Sequence, residues 1–323
     1  MMKTLLLTYL LLFGLKAAVI AQDLKVIAYS FGATDPDEIR YDQITHLNYA
    51  FAIPKSDGNL EPFKDSAKLN AIVANAKKHQ VKVFISVGGW GLGDGGGNDF
   101  RFEKLASEPA SRKHFVQAVS KFIDQHNLDG LDLDWEYPND SIVTGAGQKE
   151  KSSWYFIELM KELRSELNKK NKLLTIAVVG NNDSIGAGIP EETYNYVDWV
   201  NIMSYDNPKE KNHSSYQHAV DCLDYWINKR NLPAHKAVLG LPFYGKHPAT
   251  AYNKILEKDA LAAGKDSVAG ILYNGPNTIK AKTRLALEKG CSGVMFWELS
   301  HDVTDPKKSL LRAINEEIVK NKK

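Results

Sequence analysis

Two cysteines in 323 residues, Cys222 and Cys291, are too few for a disulfide scaffold or a thiolate metal site. Both are expected as small core residues, Cys222 in a helical stretch and Cys291 just before a strand. The nine histidines show no HExxH or comparable metal spacing, so no metal and no cofactor is expected. Neither sign of charge is in excess: 41 Lys and Arg face 39 Asp and Glu, for a formal net charge of +2. That balance gives no basis for a nucleic-acid or membrane-surface partner. Beyond the first 21 residues no apolar run is long enough to span a bilayer. Internal repeats, coiled-coil heptads and low-complexity linkers are absent, so nothing marks a second domain. No association surface stands out either, and a monomer is the default expectation.

Residues 1–21 carry Lys3 near the start, a Leu-rich run from Leu5 to Leu15, and Val19 and Ala21 at the −3 and −1 positions of a cleavage site. This is the pattern of a secretory signal peptide, implying a secreted protein, extracellular or periplasmic. Its removal takes away Lys3 and Lys16 and no acid, bringing the net charge to about zero. Residues 22–323 are long enough to form one large domain.

Strand-like runs recur through that length: 25–31, 46–52, 82–88, 130–136, 173–179, 198–205, 237–244 and 293–299. Several are apolar on both alternating faces, as buried parallel strands are. Helical patterns lie between many of them, most clearly at 111–127 and 149–170, where apolar residues return every three or four positions. Strands alternating with helices in this number predict an α/β fold, specifically a single-domain (β/α)8 TIM barrel. A doubly wound open sheet is the rival.

The stretch DGLDLDWEYP at 129–138 places Asp129, Asp132, Asp134 and Glu136 close together. Alternate side chains of a strand share a face, so Asp132, Asp134 and Glu136 point one way and Leu131, Leu133 and Trp135 the other. In a barrel the three carboxylates climb the interior, and Glu136 emerges at the C-terminal mouth, where barrel active sites lie. Stacked carboxylates repel, so some must hold protons. Glu136, outermost and near apolar rings, is expected to have a raised pKa, which suits a general acid.

DGLDLDWEYP resembles the D-x-x-D-x-D-x-E signature of glycoside hydrolase family 18, the chitinases and their relatives. ISVGG (85–89), MSYD (203–206), GLPFYG (240–245), GVMFWEL (293–299) and LNYAF (47–51) resemble that family's other strand motifs, in the family's order. The resemblance implies a secreted endo-type chitinase acting on GlcNAc-containing oligo- or polysaccharides. It makes Glu136 the acid that protonates the glycosidic oxygen, with substrate assistance from the 2-acetamido group. Asp134 would orient that group, Asp132 would share a proton with Asp134, and Tyr205, with Asp206, would hold the acetamido in line. It also implies Trp297 as the floor of the central sugar site and Trp90 as a platform on the leaving side. Tyr29, Phe51, Met203, Tyr244 and Tyr137 are further candidates for the lining. Ser86, Gly88 and Gly89 are expected to serve close backbone packing rather than catalysis.

Two motifs are declined. Gly91, Gly93 and Gly96 satisfy G-x-G-x-x-G, but no helix opens inside them, and a cleft-side loop is the better reading. Asn139-Asp140-Ser141 matches an N-glycan acceptor pattern whose meaning depends on the host. The chain departs from longer chitinases between strands 7 and 8. Only residues 246–292 lie there, with helices expected near Asn253–Ala263 and Thr278–Lys289, so the α+β insertion that walls the cleft is missing. An open groove and internal cleavage should follow. Two rival functions stand: an endo-β-N-acetylglucosaminidase cutting the chitobiose core of N-glycans, and a lectin-like protein that binds chitin without turnover.

Overall fold

The computed structural model describes residues 24–32, 34–93, 100–140, 151–259 and 261–322. The segment 1–21 expected to be a signal peptide, most of the glycine-rich stretch 91–99 and Ser141 of the glycan pattern lie outside these residues.

Eight parallel strands close into a barrel. They are β1 (Lys25–Phe31), β2 (His46–Ala52), β3 (Lys82–Gly88), β4 (Gly130–Asp134), β5 (Leu173–Val179), β6 (Trp199–Met203), β7 (Ala237–Pro242) and β8 (Gly293–Trp297). Each pairs with its sequence neighbours, and β1 pairs with β8, Lys25 opposite Gly293, to shut the ring. Helices Ser66–Lys78, Pro109–His126, Ser152–Asn168, Tyr216–Leu223, Pro276–Glu288 and Leu310–Asn321 pack outside. Proline at the first turn starts two of them, where a missing N–H costs nothing. Ser215 and Ser309 cap two others by accepting the amides of His218 and Arg312.

Period-two alternation sorts side chains between two cores. Val26 and Ala28 of β1, and Leu131 and Leu133 of β4, join the outer cluster beneath the helices. Ile27, Tyr29, Phe84, Trp199, Val238 and Met295 fill the barrel interior. Each large apolar side chain so buried contributes about 1.5–3 kcal/mol. Trp135, just past β4, follows the outer set: it stacks on Phe102 at 5.1 Å and meets Phe156 at 5.9 Å. Both cysteines are buried and free.

The expected (β/α)8 barrel is found, with strands β4, β6, β7 and β8 ending earlier than the patterns suggested, at Asp134, Met203, Pro242 and Trp297. Beyond these points the chains leave the ladder to build the rim of a cleft. Glu136 therefore sits in a bend rather than in the strand. Residues 246–292 hold no α+β domain among those described. They form helices Tyr252–Lys258 and Pro276–Glu288 and a short helical turn at Ala262–Gly264. Tyr244–Gly245 paired with Thr250–Ala251, and Ser267–Val268 paired with Ile271–Leu272, add two minimal hairpins that the sequence patterns did not announce. No helix among the described residues is long and apolar enough to cross a membrane.

Candidate active site

A cleft of about 850 Å³ opens at the C-terminal end of the barrel. Its lining includes Asp134, Glu136, Tyr137, Met203, Tyr205, Asp206, Trp90, Tyr29, Phe51 and Trp297. Every candidate named from sequence is thus brought together there, except Asp132, which lies beneath the floor and is fully buried.

Asp132 is held by four donors. Tyr29 Oη (2.8 Å) and Ser86 Oγ (2.7 Å) donate to Oδ2, and Thr175 Oγ1 (2.6 Å) and Asn201 Nδ2 (3.0 Å) donate to Oδ1. Burial raises its pKa, and these hydrogen bonds pull it back. Ser86, expected from sequence to serve close packing, does more than that: its hydroxyl binds a carboxylate of the motif. Gly88 and Gly89 do serve close approach. Gly88, at φ +117°, leaves no room for a Cβ against the Asp134 carbonyl. A Cβ on Gly89 would stand 2.6 Å from the Phe51 ring.

Asp134 is the opposite case. It is 4% exposed, and its Oδ1 has no hydrogen-bond partner. Burial, then the charges of Glu136 and Asp132, push its pKa well above the usual carboxylate range. Burial also raises Glu136, to about 7, with the Tyr137 hydroxyl opposing and the Asp206 charge adding. Of the three carboxylates, all raised by burial, Asp132 is the one that four protein donors hold.

Tyr205 reaches Met295 Sδ at 3.8 Å, and Gly240 on β7 makes space for its ring. Burial and the surrounding carboxylates raise its pKa, so the hydroxyl remains a donor. Asp206 accepts from Tyr244 Oη (2.8 Å) and pairs with Lys246 (2.9 Å); His213 Nδ1 lies 3.2 Å from the same oxygen. Burial alone would raise Asp206, yet these three partners hold it at about 2. It is a permanent negative charge beside Glu136.

Trp297 is packed by Tyr29, Phe31 and Phe51, each with ring centroids 5.7 Å away, and is nearly parallel to Phe51. Trp90 is 56% exposed and stands 6.4 Å from Tyr137. The cleft thus has an aromatic surface on each side of the carboxylates, as sugar rings require. Phe31, Asn182 and Lys246 also line it and were missed. Phe31 shares the parity of Tyr29 and could have been found; Asn182 and Lys246 follow strand ends whose direction sequence does not give.

The model of glycosyl hydrolases family 18 matches residues 25–302. The chain belongs to this family. A solved family 18 chitinase, ChiB from the chitin utilization locus of Flavobacterium johnsoniae, is 31% identical with a TM-score of 0.77, over 93% of this chain and 96% of that one. A chitinase structure from Bacteroides thetaiotaomicron is 27% identical with a TM-score of 0.79, over 93% and 97%. Probable chitinase 10 of Drosophila melanogaster is 30% identical across 72% of this chain. This family 18 chain spans only 11% of that relative and 52% of probable chitinase 2 from the same organism.

Proposed function

We propose that this chain is a secreted hydrolase of β-1,4-linked GlcNAc glycans, chitin or chito-oligosaccharides, that cleaves with retention through the substrate's own acetamido group. One observation carries the reading: a buried, unpartnered carboxylate oxygen on Asp134 beside a glutamate raised to about 7, in a cleft walled by aromatic rings. A buried acceptor without a donor costs about 1–3 kcal/mol. The N–H of a 2-acetamido group supplies that donor.

The chemistry then follows. Glu136 gives its proton to the glycosidic oxygen as the C1–O bond breaks. The acetamido carbonyl oxygen closes on C1, and an oxazolinium ion forms. Asp134, bonded to the acetamido N–H, sets the carbonyl in line and offsets the positive charge. Tyr205 donates to the acetamido oxygen and limits its rotation. The Glu136 carboxylate next takes a proton from water, which attacks C1 from the face the leaving group vacated. Trp297 supports the sugar at the reacting centre, and Trp90 carries the leaving side. The short β7–β8 connection leaves the groove open along one side, which favours internal cleavage. Residues 1–21 are read as a leader removed on export, and 22–323 as one catalytic domain.

The test is one incubation with chitohexaose and a high-mannose glycopeptide together, read by mass spectrometry, with proton NMR of the first products. Shortened chito-oligosaccharides with β-anomeric ends are expected. A peptide left with one GlcNAc would transfer the activity to N-glycans, and α-anomeric first products would overturn the retaining mechanism. Binding without any product would favour the lectin-like reading.

A further inference from the structure

Behind the cleft, on helix Pro276–Glu288, Lys282 is completely buried. Its ammonium donates to three oxygens: Ser214 O (2.8 Å), Ser214 Oγ (2.7 Å) and Asn274 Oδ1 (2.7 Å). All of its donors are therefore used, and Asn274 Nδ2 adds a fourth bond to the same Ser214 carbonyl at 2.9 Å. A lysine is rarely buried without a specific partner. Burial lowers its pKa to about 7, and a lysine so enclosed, with no carboxylate in its cage, is an expensive way to fill space. The expense has an evident object, because Ser214 is the anchor of the segment that presents Tyr205 and Asp206.

The connections run in short steps. Ser214 Oγ donates to Ser204 O at 2.8 Å, the carbonyl that precedes Tyr205. The neighbouring His213 keeps Nδ1 within 3.3 Å of the Asp206 amide nitrogen as it faces the Asp206 carboxylate, and its own carbonyl accepts the Asn207 amide at 3.0 Å. His213 Nε2 reaches the Tyr244 carbonyl at 3.3 Å. Residues 204–207 thus leave β6 tied at successive positions to 213–214. That tie is needed, since Asp206 stands at φ +58°, a backbone conformation that side-chain-bearing residues adopt only when surroundings impose it. Ser214 and His213 have no element of their own to rest on; Lys282 supplies one by joining them to an outer helix.

We propose that Lys282 is a positioning residue for the reaction: through Ser214 it fixes the turn that aims Tyr205 and Asp206 into the cleft. The proposal rests on the functional reading above. Asp206 holds its negative charge near Glu136 only while this turn is in place, so the anchor acts on the acid as well as on the acetamido-binding tyrosine.

The experiment compares Lys282→Met and Ser214→Ala with the wild type on chitohexaose, well below each melting temperature. Hydrogen exchange of the 204–214 amides is measured in parallel. For Lys282→Met the folded enzyme should lose about 30-fold in kcat, with KM within about threefold. The alkaline limb of its kcat profile should move to lower pH, because Asp206 no longer sits beside Glu136. The amides of Asp206 and Asn207 should exchange at least about tenfold faster while those of the barrel strands do not. Ser214→Ala, which removes two of the links and keeps the lysine's other acceptors, should shift every readout in the same direction by less; it also decides the matter if Lys282→Met does not fold. A lower melting temperature with kcat, pH limb and local exchange unchanged would make Lys282 a purely structural residue and overturn the proposal. If the wild type does not cleave chitohexaose, it is the functional reading that fails, and the exchange data still decide on the anchor.

Discussion

Two residues apart on one strand, Asp132 and Asp134 sit in opposite environments. The lower interior of the barrel surrounds Asp132 with Tyr29, Ser86, Thr175 and Asn201, drawn from β1, β3, β5 and β6. The mouth leaves Asp134 with a buried oxygen that nothing in the protein satisfies. A buried polar group with a full set of partners holds a structure together, and one without awaits a partner from outside. Under the proposed function, the difference separates the carboxylate that supports the site from those that act in it.

The comparison can be broken most severely at the top. Glu136→Gln should lower kcat by about 10³-fold, about 4 kcal/mol of transition-state stabilisation, with oligosaccharide binding retained in calorimetry. Lost binding with lost turnover would remove Glu136 from its role as the acid. Asp132→Ala should act on the fold instead, since it strands four buried donors: chemical denaturation should show a loss of roughly 3–5 kcal/mol. Asp134→Ala sharpens the contrast. It deletes a carboxylate that no protein donor holds, so the melting temperature should stay or rise, while kcat falls about 100-fold, about 2.7 kcal/mol. If Asp134→Ala proves as destabilising as Asp132→Ala, the distinction between the two environments is wrong.

The dependence on pH gives a smaller but more specific effect. In the proposed reaction Glu136 must be protonated to act, and its folded pKa of about 7 lies above the ordinary glutamate value of 4.5. Activity should therefore fall as pH rises through about 7 in a pH–rate profile. Between 4.5 and about 7 the folded protein binds the extra proton, so this group's contribution to stability declines as pH climbs through that window. Glu136→Gln should accordingly melt higher than the wild type at pH 8 and no higher at pH 4. The smallest effect is expected from Asp206→Asn. Its negative charge is among the causes raising Glu136, so its removal should move the alkaline limb slightly toward lower pH. A shift the other way would show that Asp206 acts on Glu136 by some route other than charge.

The division between the two environments was half legible in the sequence. Strand periodicity put Asp132, Asp134 and Glu136 on one face, because the pleat repeats every two residues whatever surrounds it. It could not show that Asp132 is saturated, since Tyr29 and Asn201 reach it across 103 and 69 residues of chain. The barrel followed from eight apolar runs, but four of them were carried too far, because residues such as Tyr205 and Glu136 read as strand while their backbones turn away to form the rim. Lys246 and Asn182 lie in connections past strand ends, and loops are where local sequence says least about direction. Lys282 was hidden for another reason. In a helical pattern a lysine reads as the solvent side, and only the loop packed over it makes that position an interior one.

The placement of the tryptophans has a practical consequence. Trp135, Trp199 and Trp226 are buried and Trp154 is exposed away from the cleft lining, whereas Trp90 and Trp297 line the cleft. Indole emission responds to the polarity around the ring, so a sugar settling on Trp90 should displace water from an exposed fluorophore while the buried three stay silent. The protein carries its own optical reporter, and in Glu136→Gln each oligosaccharide's arrival and departure could be followed in real time without a label.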